Sequence, residues 1–308
     1  MRRYIIRLVF GALIVFVAAG CEQRQSVSTT KGSVTIECDE SLMPVMQLQA
    51  EDFERSYTEA TVTLHSVQAR EAIADFVDDS VRVIVTGRPF NKEEQNVLVA
   101  AKIEYKEYNV ALDAVAVITH KDNPIKELRI SELDSIFSGF MMRWPWKRRN
   151  TLIDVAICGL NSSTNEIFQS AILEGNPFTL TATRFDSSQK LVEYVLNNPN
   201  AIGIVGLSWL KGHDQELTVA GLGDPNGRPD STQPVGRFYP PLQAHVYRKY
   251  YPITTPVYIY TREILMDVGL GFIAYVGSIQ GQKIFQEQGL VPATMPIRLV
   301  ETISQPVK

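Results

Sequence analysis

Two hydrophobic periods alternate along this chain. Short apolar, β-branched runs predict strands at Ser33–Cys38, Ala60–His65, Val81–Val85, Tyr108–Thr119, Leu152–Ile157, Ala201–Gly206 and Pro256–Tyr260. Stretches with helical spacing separate them. Leu42–Ser56 places Val45, Met46, Leu48 and Phe53 on one face. Further helices are predicted to end near Val77, over Lys92–Ala101, from Ser131 with Leu133 and Ile136 inward, over Leu191–Leu196, and over about 263–276 and 278–288. Strands alternating with helices predict a mostly parallel α/β sheet, in which ligands sit beyond the carboxyl ends of strands. Ser41, Ser66 and Arg88 each follow a different predicted strand.

The most informative stretch runs from Leu152 to Phe168. Its apolar run stops at Asn161-Ser162-Ser163-Thr164 and restarts with Ile167, Phe168, Ala171 and Ile172 at helical spacing. Ser163 and Glu166 have capping-box spacing, so a helix is expected to begin just after Ser163. A strand, a hydroxyl-rich turn and a helix N-terminus together form an anion site, because the first N–H groups lack partners and the dipole is positive there. Ser162, Ser163 and Thr164 are the candidate hydroxyl donors.

Composition narrows the field. The 308 residues are 45% hydrophobic and 21% charged, with a formal net charge of −4. That is ordinary globular composition, and the charge does not suggest nucleic acid as a partner. The first twenty residues read as a lipoprotein signal peptide. Arg2, Arg3 and Arg7 precede an apolar run, Leu8–Ala19, too short to span a membrane comfortably. The run ends Ala18-Ala19-Gly20-Cys21, similar to a bacterial lipobox, though Ala18 stands where a leucine is usual. Cys21 is therefore the expected lipidation site, and 21–32 a polar tether. Loss of residues 1–20, with three arginines and no acids, would bring the net charge from −4 to −7. Cys38 and Cys158 each end their own strand, so separate buried thiols are expected rather than a disulfide. His65, His120, His213 and His245 are scattered without metal-ligand spacing, and no metal or other cofactor is expected. The basic run Lys147-Arg148-Arg149 reads as a solvated loop, as does the Pro- and Gly-rich stretch Asp224–Pro241.

Several segments, in a common order, resemble one family. Ser138-Gly139 followed by Trp144, the Asn161–Thr164 turn, Ala201-Ile202-Gly203-Ile204-Val205, Tyr251-Pro252-Ile253 with Val257-Tyr258-Ile259-Tyr260, and Gly281-Gln282-Lys283-Ile284 with Gly289-Leu290-Val291-Pro292 are similar to motifs of the PstS-like phosphate-binding proteins of ABC transporters. These form a branch of the periplasmic-binding-protein superfamily. The resemblance implies a two-lobed α/β fold of type II with the ligand cleft between the lobes. Lobe I would hold 33–112 and 254–308, and lobe II 113–253. It implies a monomeric, lipid-anchored protein of the bacterial cell envelope, facing the periplasm or the cell surface. That protein would capture inorganic phosphate or a similar oxyanion and deliver it to an ABC permease. Ser41, Ser66, Arg88, Ser162, Ser163 and Thr164 would hold the ligand.

Two departures bear on this expectation. The family usually carries an aspartate after its third strand, where it accepts the proton of hydrogen phosphate; here Gly87-Arg88 occupies that place. The family's phosphate-clamping arginine has Cys158 at its position. Arg88 can replace it in principle, because a guanidinium forks onto an oxyanion. The lost arginine also leaves open a protein diverged into a sensor or interaction module. An enzyme is not expected: there is no G-x-S-x-G, and no histidine lies within a few residues of the Ser162-Ser163-Thr164 turn.

Overall fold

The computed structural model describes residues 28–145, 151–213, 215–224, 236–263 and 266–294. Cys21, the signal peptide, the basic run Lys147–Arg149 and most of the Asp224–Pro241 loop lie outside the described residues. Strand β1 (Lys31–Asp39) passes through a 3-10 turn, Glu40–Leu42, into helix α1 (Met43–Ser56). Then come β2 (Glu59–Val67), α2 (Ala69–Val77), β3 (Val83–Thr86), α3 (Lys92–Ala100) and the 15-residue strand β4 (Lys106–His120). The chain continues through β5 (Glu127–Arg129), α4 (Ile130–Ser138), β6 (Asp154–Ile157), α5 (Ser163–Ala171), β7 (Thr183–Arg184), α6 (Ser188–Asn197) and β8 (Ala201–Gly206). Short strands β9 (Leu217–Val219) and β10 (Gly221–Gly223) and helix α7 (Gln243–Tyr247) precede β11 (Thr254–Thr261), α8 (Val268–Val276), α9 (Ile279–Glu287) and β12 (Val291–Pro292).

The strands form one path, β2-β1-β3-β11-β4-β8-β6-β7. Its two ends are parallel: β1 with β2 and β3, and β6 with β7 and β8. Its middle is not. β11 runs antiparallel to β3 and β4, and β4 runs antiparallel to β8. The sheet is therefore mixed, where strand–helix alternation alone predicts a mostly parallel one. The N-terminal half of β4 pairs with β11 and its C-terminal half with β8, so this strand joins two half-sheets.

Burial explains the sequence patterns. β3 and β8 are buried along their whole length, which fits their continuous apolar runs. β2 lies at the sheet edge and alternates, with Ala60 and Val62 inward. Gly203 is required where β8 meets α6, because a Cβ there would come within 2.7 Å of Leu191 Cδ2. On α1, Val45, Met46 and Phe53 are fully buried, while Leu48 turns outward at 38% exposure. Cys38, in β1, and Cys158, just past the end of β6, are buried free thiols. Among the described residues no helix is long and apolar enough to cross a membrane.

Candidate functional site

The site forms where the carboxyl ends of β1 and β3, from one half-sheet, meet the N-termini of α5 and α6 from the other. Asp39 ends β1 and is completely buried. Its Oδ1 accepts from Ser41 N at 3.2 Å and from Ser41 Oγ at 3.0 Å. Its Oδ2 accepts from Gly87 N, at the end of β3, at 3.2 Å. The Ser163 hydroxyl, in the first turn of α5, stands beside the same carboxylate and favours its charged form. Three hydrogen bonds and a neighbouring fourth hydroxyl thus converge on one carboxylate. Even so, burial holds the Asp39 carboxyl above its ordinary range, against the pull of the Ser163, Ser41 and Gly87 bonds.

The walls of the cleft touch here. Ser41 Oγ and Ser163 Oγ are 3.2 Å apart. A Cβ on Gly87 would lie 2.6 Å from Ser163 Oγ, so only glycine permits this approach. A tetrahedral oxyanion needs each hydroxyl about 2.7 Å from one of its own oxygens. Two hydroxyls 3.2 Å apart are spaced to reach one oxygen, or two neighbouring oxygens, of such an ion.

Glu40 makes the second cross-cleft contact. Its Oε2 accepts from Ser188 N at 2.8 Å and its Oε1 from Ser188 Oγ at 3.1 Å, at the start of α6. This is a favourable place for an anion, at a helix N-terminus. Burial nevertheless pushes the Glu40 carboxyl up to about 7, with the Asp39 charge adding to the effect. The Cys158 thiol stands 3.5 Å from Ser188 Oγ and beside Glu40. Burial, and then the Glu40 charge, raise that thiol, so it stays neutral. A third acid, Asp113 on β4, accepts from Ala114 N at 2.7 Å and Leu207 N at 3.2 Å. Burial pushes it up to about 7 as well.

Arg88 serves a different network. Its guanidinium forks onto Glu94, with Nη1 to Oε2 at 2.8 Å and Nη2 to Oε1 at 2.7 Å. Its Nε lies 2.6 Å from Glu166 Oε2, an ion-pair contact in which the N–H is not aligned for a hydrogen bond. Arg70 Nε holds the other Glu166 oxygen at 3.0 Å. Glu94 also closes a capping box with Asn91 at the start of α3. The desolvation that would raise Glu94 is outweighed by its bond to Arg88, and it stays below its ordinary value. Burial leaves Glu166 raised despite Arg88 and Arg70. Arg88 therefore reaches α5 through Glu166 rather than through the serine turn.

The remaining candidates separate. Ser162, not Ser163, caps α5: its hydroxyl accepts from Asn165 N at 3.3 Å. The helix starts at Ser163 itself, and Glu166 is turned to the arginines instead of back to the cap. Thr164 is buried in the first turn. Ser66 sits at the end of edge strand β2, paired with Cys38, and is exposed. The structure thus brings Ser41 and Ser163 together and adds Asp39, Glu40 and Gly87, which sequence reading did not single out. Two acids directly after an apolar strand were the available signal. Among the described residues no group of three His, Cys, Asp or Glu side chains could hold a metal ion.

The cleft is thus built from strand ends and helix N-termini, in an α/β chain whose sheet is shared between two lobes. The chain belongs to the PBP superfamily: a family model described as a PBP superfamily domain matches residues 24–278. It is 26% identical over 259 residues to Protein SphX of Synechococcus elongatus, covering 81% of this chain and 74% of that one. It is 24% identical over 277 residues to the phosphate-binding protein PstS of Staphylococcus aureus, covering 86% and 80%. Among solved structures, a Clostridium perfringens protein with bound phosphate superposes with a TM-score of 0.71 at 24% identity, over 85% of this chain and 99% of that one. An ABC-type phosphate transport receptor from Vibrio cholerae superposes with a TM-score of 0.62 at 19% identity, over 85% and 100%. These likenesses bear out the two-lobed fold expected from the sequence.

Proposed function

We propose that this chain is a lipid-anchored solute-binding protein that takes phosphate, or a similar oxyanion, between two lobes and delivers it to an ABC permease. The observation that carries the reading is the convergence of Ser41 N, Ser41 Oγ, Gly87 N and Ser163 Oγ on a single carboxylate. A site that already holds one oxyanion group between a strand end and a helix N-terminus has the donors for a solute of that kind. The names of the relatives support phosphate as the solute. Residues 33–112 and 254–308 form lobe I in this reading, and 113–253 lobe II. Residues 1–20 are a signal peptide, Cys21 carries lipid, and 21–32 tether a monomer in the bacterial cell envelope, facing the periplasm or the cell surface. The protein does no catalysis.

Calorimetry of the purified protein with phosphate, sulfate and a short organic phosphate tests the solute. Heat from at least one oxyanion is expected, and a folded protein that binds none of them refutes the reading. Radiolabelled fatty acid tests the anchor: wild type should be labelled and Cys21→Ala should not, and equal labelling removes the anchor from the proposal. One observation favours a second reading, a module diverged to sensing or interaction. Among the described residues no cation forms an ion pair with the Asp39 carboxylate, whose neighbours are hydroxyls and two backbone N–H groups.

A further inference from the structure

We propose that the Asp39 carboxylate is a tethered internal ligand of the anion site, on which the cleft closes without solute. The inference rests on the reading of the cleft as an oxyanion site and goes beyond it. A solute-binding cleft of this type ordinarily needs its solute to bridge the two walls. Here the chain's own groups do the bridging. Asp39 takes the donors of Ser41 and Gly87 from one side and Ser163 from the other.

The surrounding contacts also cross the cleft. Glu40 receives Ser188 N and Oγ. Glu166 is clasped by Arg88 and Arg70. Asn161 N donates to Gln68 Oε1 at 3.1 Å, and Arg70 N donates to Asn161 O at 3.3 Å. Ser208 Oγ donates to Ser41 O at 3.2 Å, and Trp209 Nε1 donates to Glu40 O at 3.3 Å. A group on the same chain competes at a high effective concentration, at least millimolar for short connections. An incoming oxyanion gains the site only by displacing Asp39, and its apparent affinity falls by the fraction of molecules in which Asp39 is out.

Two measurements test this. The first is small-angle X-ray scattering of the wild-type protein with and without millimolar inorganic phosphate. The second is phosphate calorimetry of wild type and Asp39→Ser, in which the serine leaves the donors free and removes the competing charge. The expected result is a compact solute-free profile that phosphate does not change, together with phosphate binding at least about tenfold tighter in Asp39→Ser. A solute-free wild type that is expanded and contracts on phosphate overturns the proposal. So does wild-type affinity equal to or above that of the variant. Should Asp39→Ser fail to fold, Asp39→Asn keeps the side chain's size, and the wild-type scattering does not depend on either variant. If neither protein binds phosphate, the phosphate reading falls, and scattering of Asp39→Ser decides the closure: an expanded variant beside a compact wild type upholds closure on Asp39, and a variant as compact as wild type overturns it.

Discussion

Replacing Glu40 by glutamine should stabilise the protein above neutral pH and leave it nearly unchanged near pH 4. Glu40 is 4% exposed and, among the described residues, bonded only to uncharged partners with no cation acting on it. Its carboxyl sits at about 7 in the folded protein, against 4.5 for an ordinary glutamate. The folded state therefore binds the proton more tightly than the unfolded state. Below pH 4.5 both states are protonated and the buried group costs nothing extra. As pH rises through that value toward 7, the unfolded state releases its proton first, and stability falls until the folded group has titrated too. Each tenfold change in proton affinity is worth about 1.4 kcal/mol, so the full loss is on the order of 3 kcal/mol. Glutamine retains both contacts in principle, with Oε1 accepting from Ser188 N and Nε2 donating to Ser188 Oγ. The assay is urea unfolding of wild type and Glu40→Gln at half-unit steps from pH 4 to pH 9. The difference between the two should grow across the window from about 4.5 to about 7 and then level off. Parallel stability curves would show that Glu40 is not buried as a neutral acid.

Two further substitutions probe the cleft. Arg88→Ala should destabilise the fold by about 3–5 kcal/mol, read by urea unfolding, because it takes the guanidinium from Glu94 and leaves Glu166 with Arg70 alone, and the two side chains are 13% and 16% exposed. A stability change under 1 kcal/mol would show instead that these acids find water. Ser162→Ala should cost about 1 kcal/mol of stability as a lost helix cap, whereas Ser163→Ala should leave the cap intact. The opposite ranking in thermal melts would restore Ser163 as the cap.

Much of the fold is legible from hydrophobic period alone. The runs at Ala201–Gly206 and Lys92–Ala100 fall where their patterns place them. Strand direction is less accessible, since pairing partners such as β11 and β4 are distant in sequence and nothing in either run encodes orientation. The Ser-Ser-Thr turn was visible, but three adjacent hydroxyls hide which one caps, and Ser162 wins by reaching Asn165 N. Arg88 shows the limit most clearly. A lone guanidinium after a strand reads as an anion ligand until its carboxylates are seen, and Glu166 comes from the far side of the cleft. Asp39 and Glu40 show the converse: acids at a strand end resemble ordinary turn residues.

The position of β11 governs how the chain can fold. Residues 254–261 insert between β3 and β4, both formed by residue 120. A nascent chain lacking them presents two open strand edges in the middle of its first half-sheet, each a template for mispairing. β4, about 50 Å long at 3.3 Å per residue, then has a partner along only its second half. Contacts this distant in sequence slow folding and prolong the exposure of such edges. A chain emerging in vectorial fashion therefore stays an assembly intermediate until residues 254–261 have been made, and commits to its topology only when that strand slots into place.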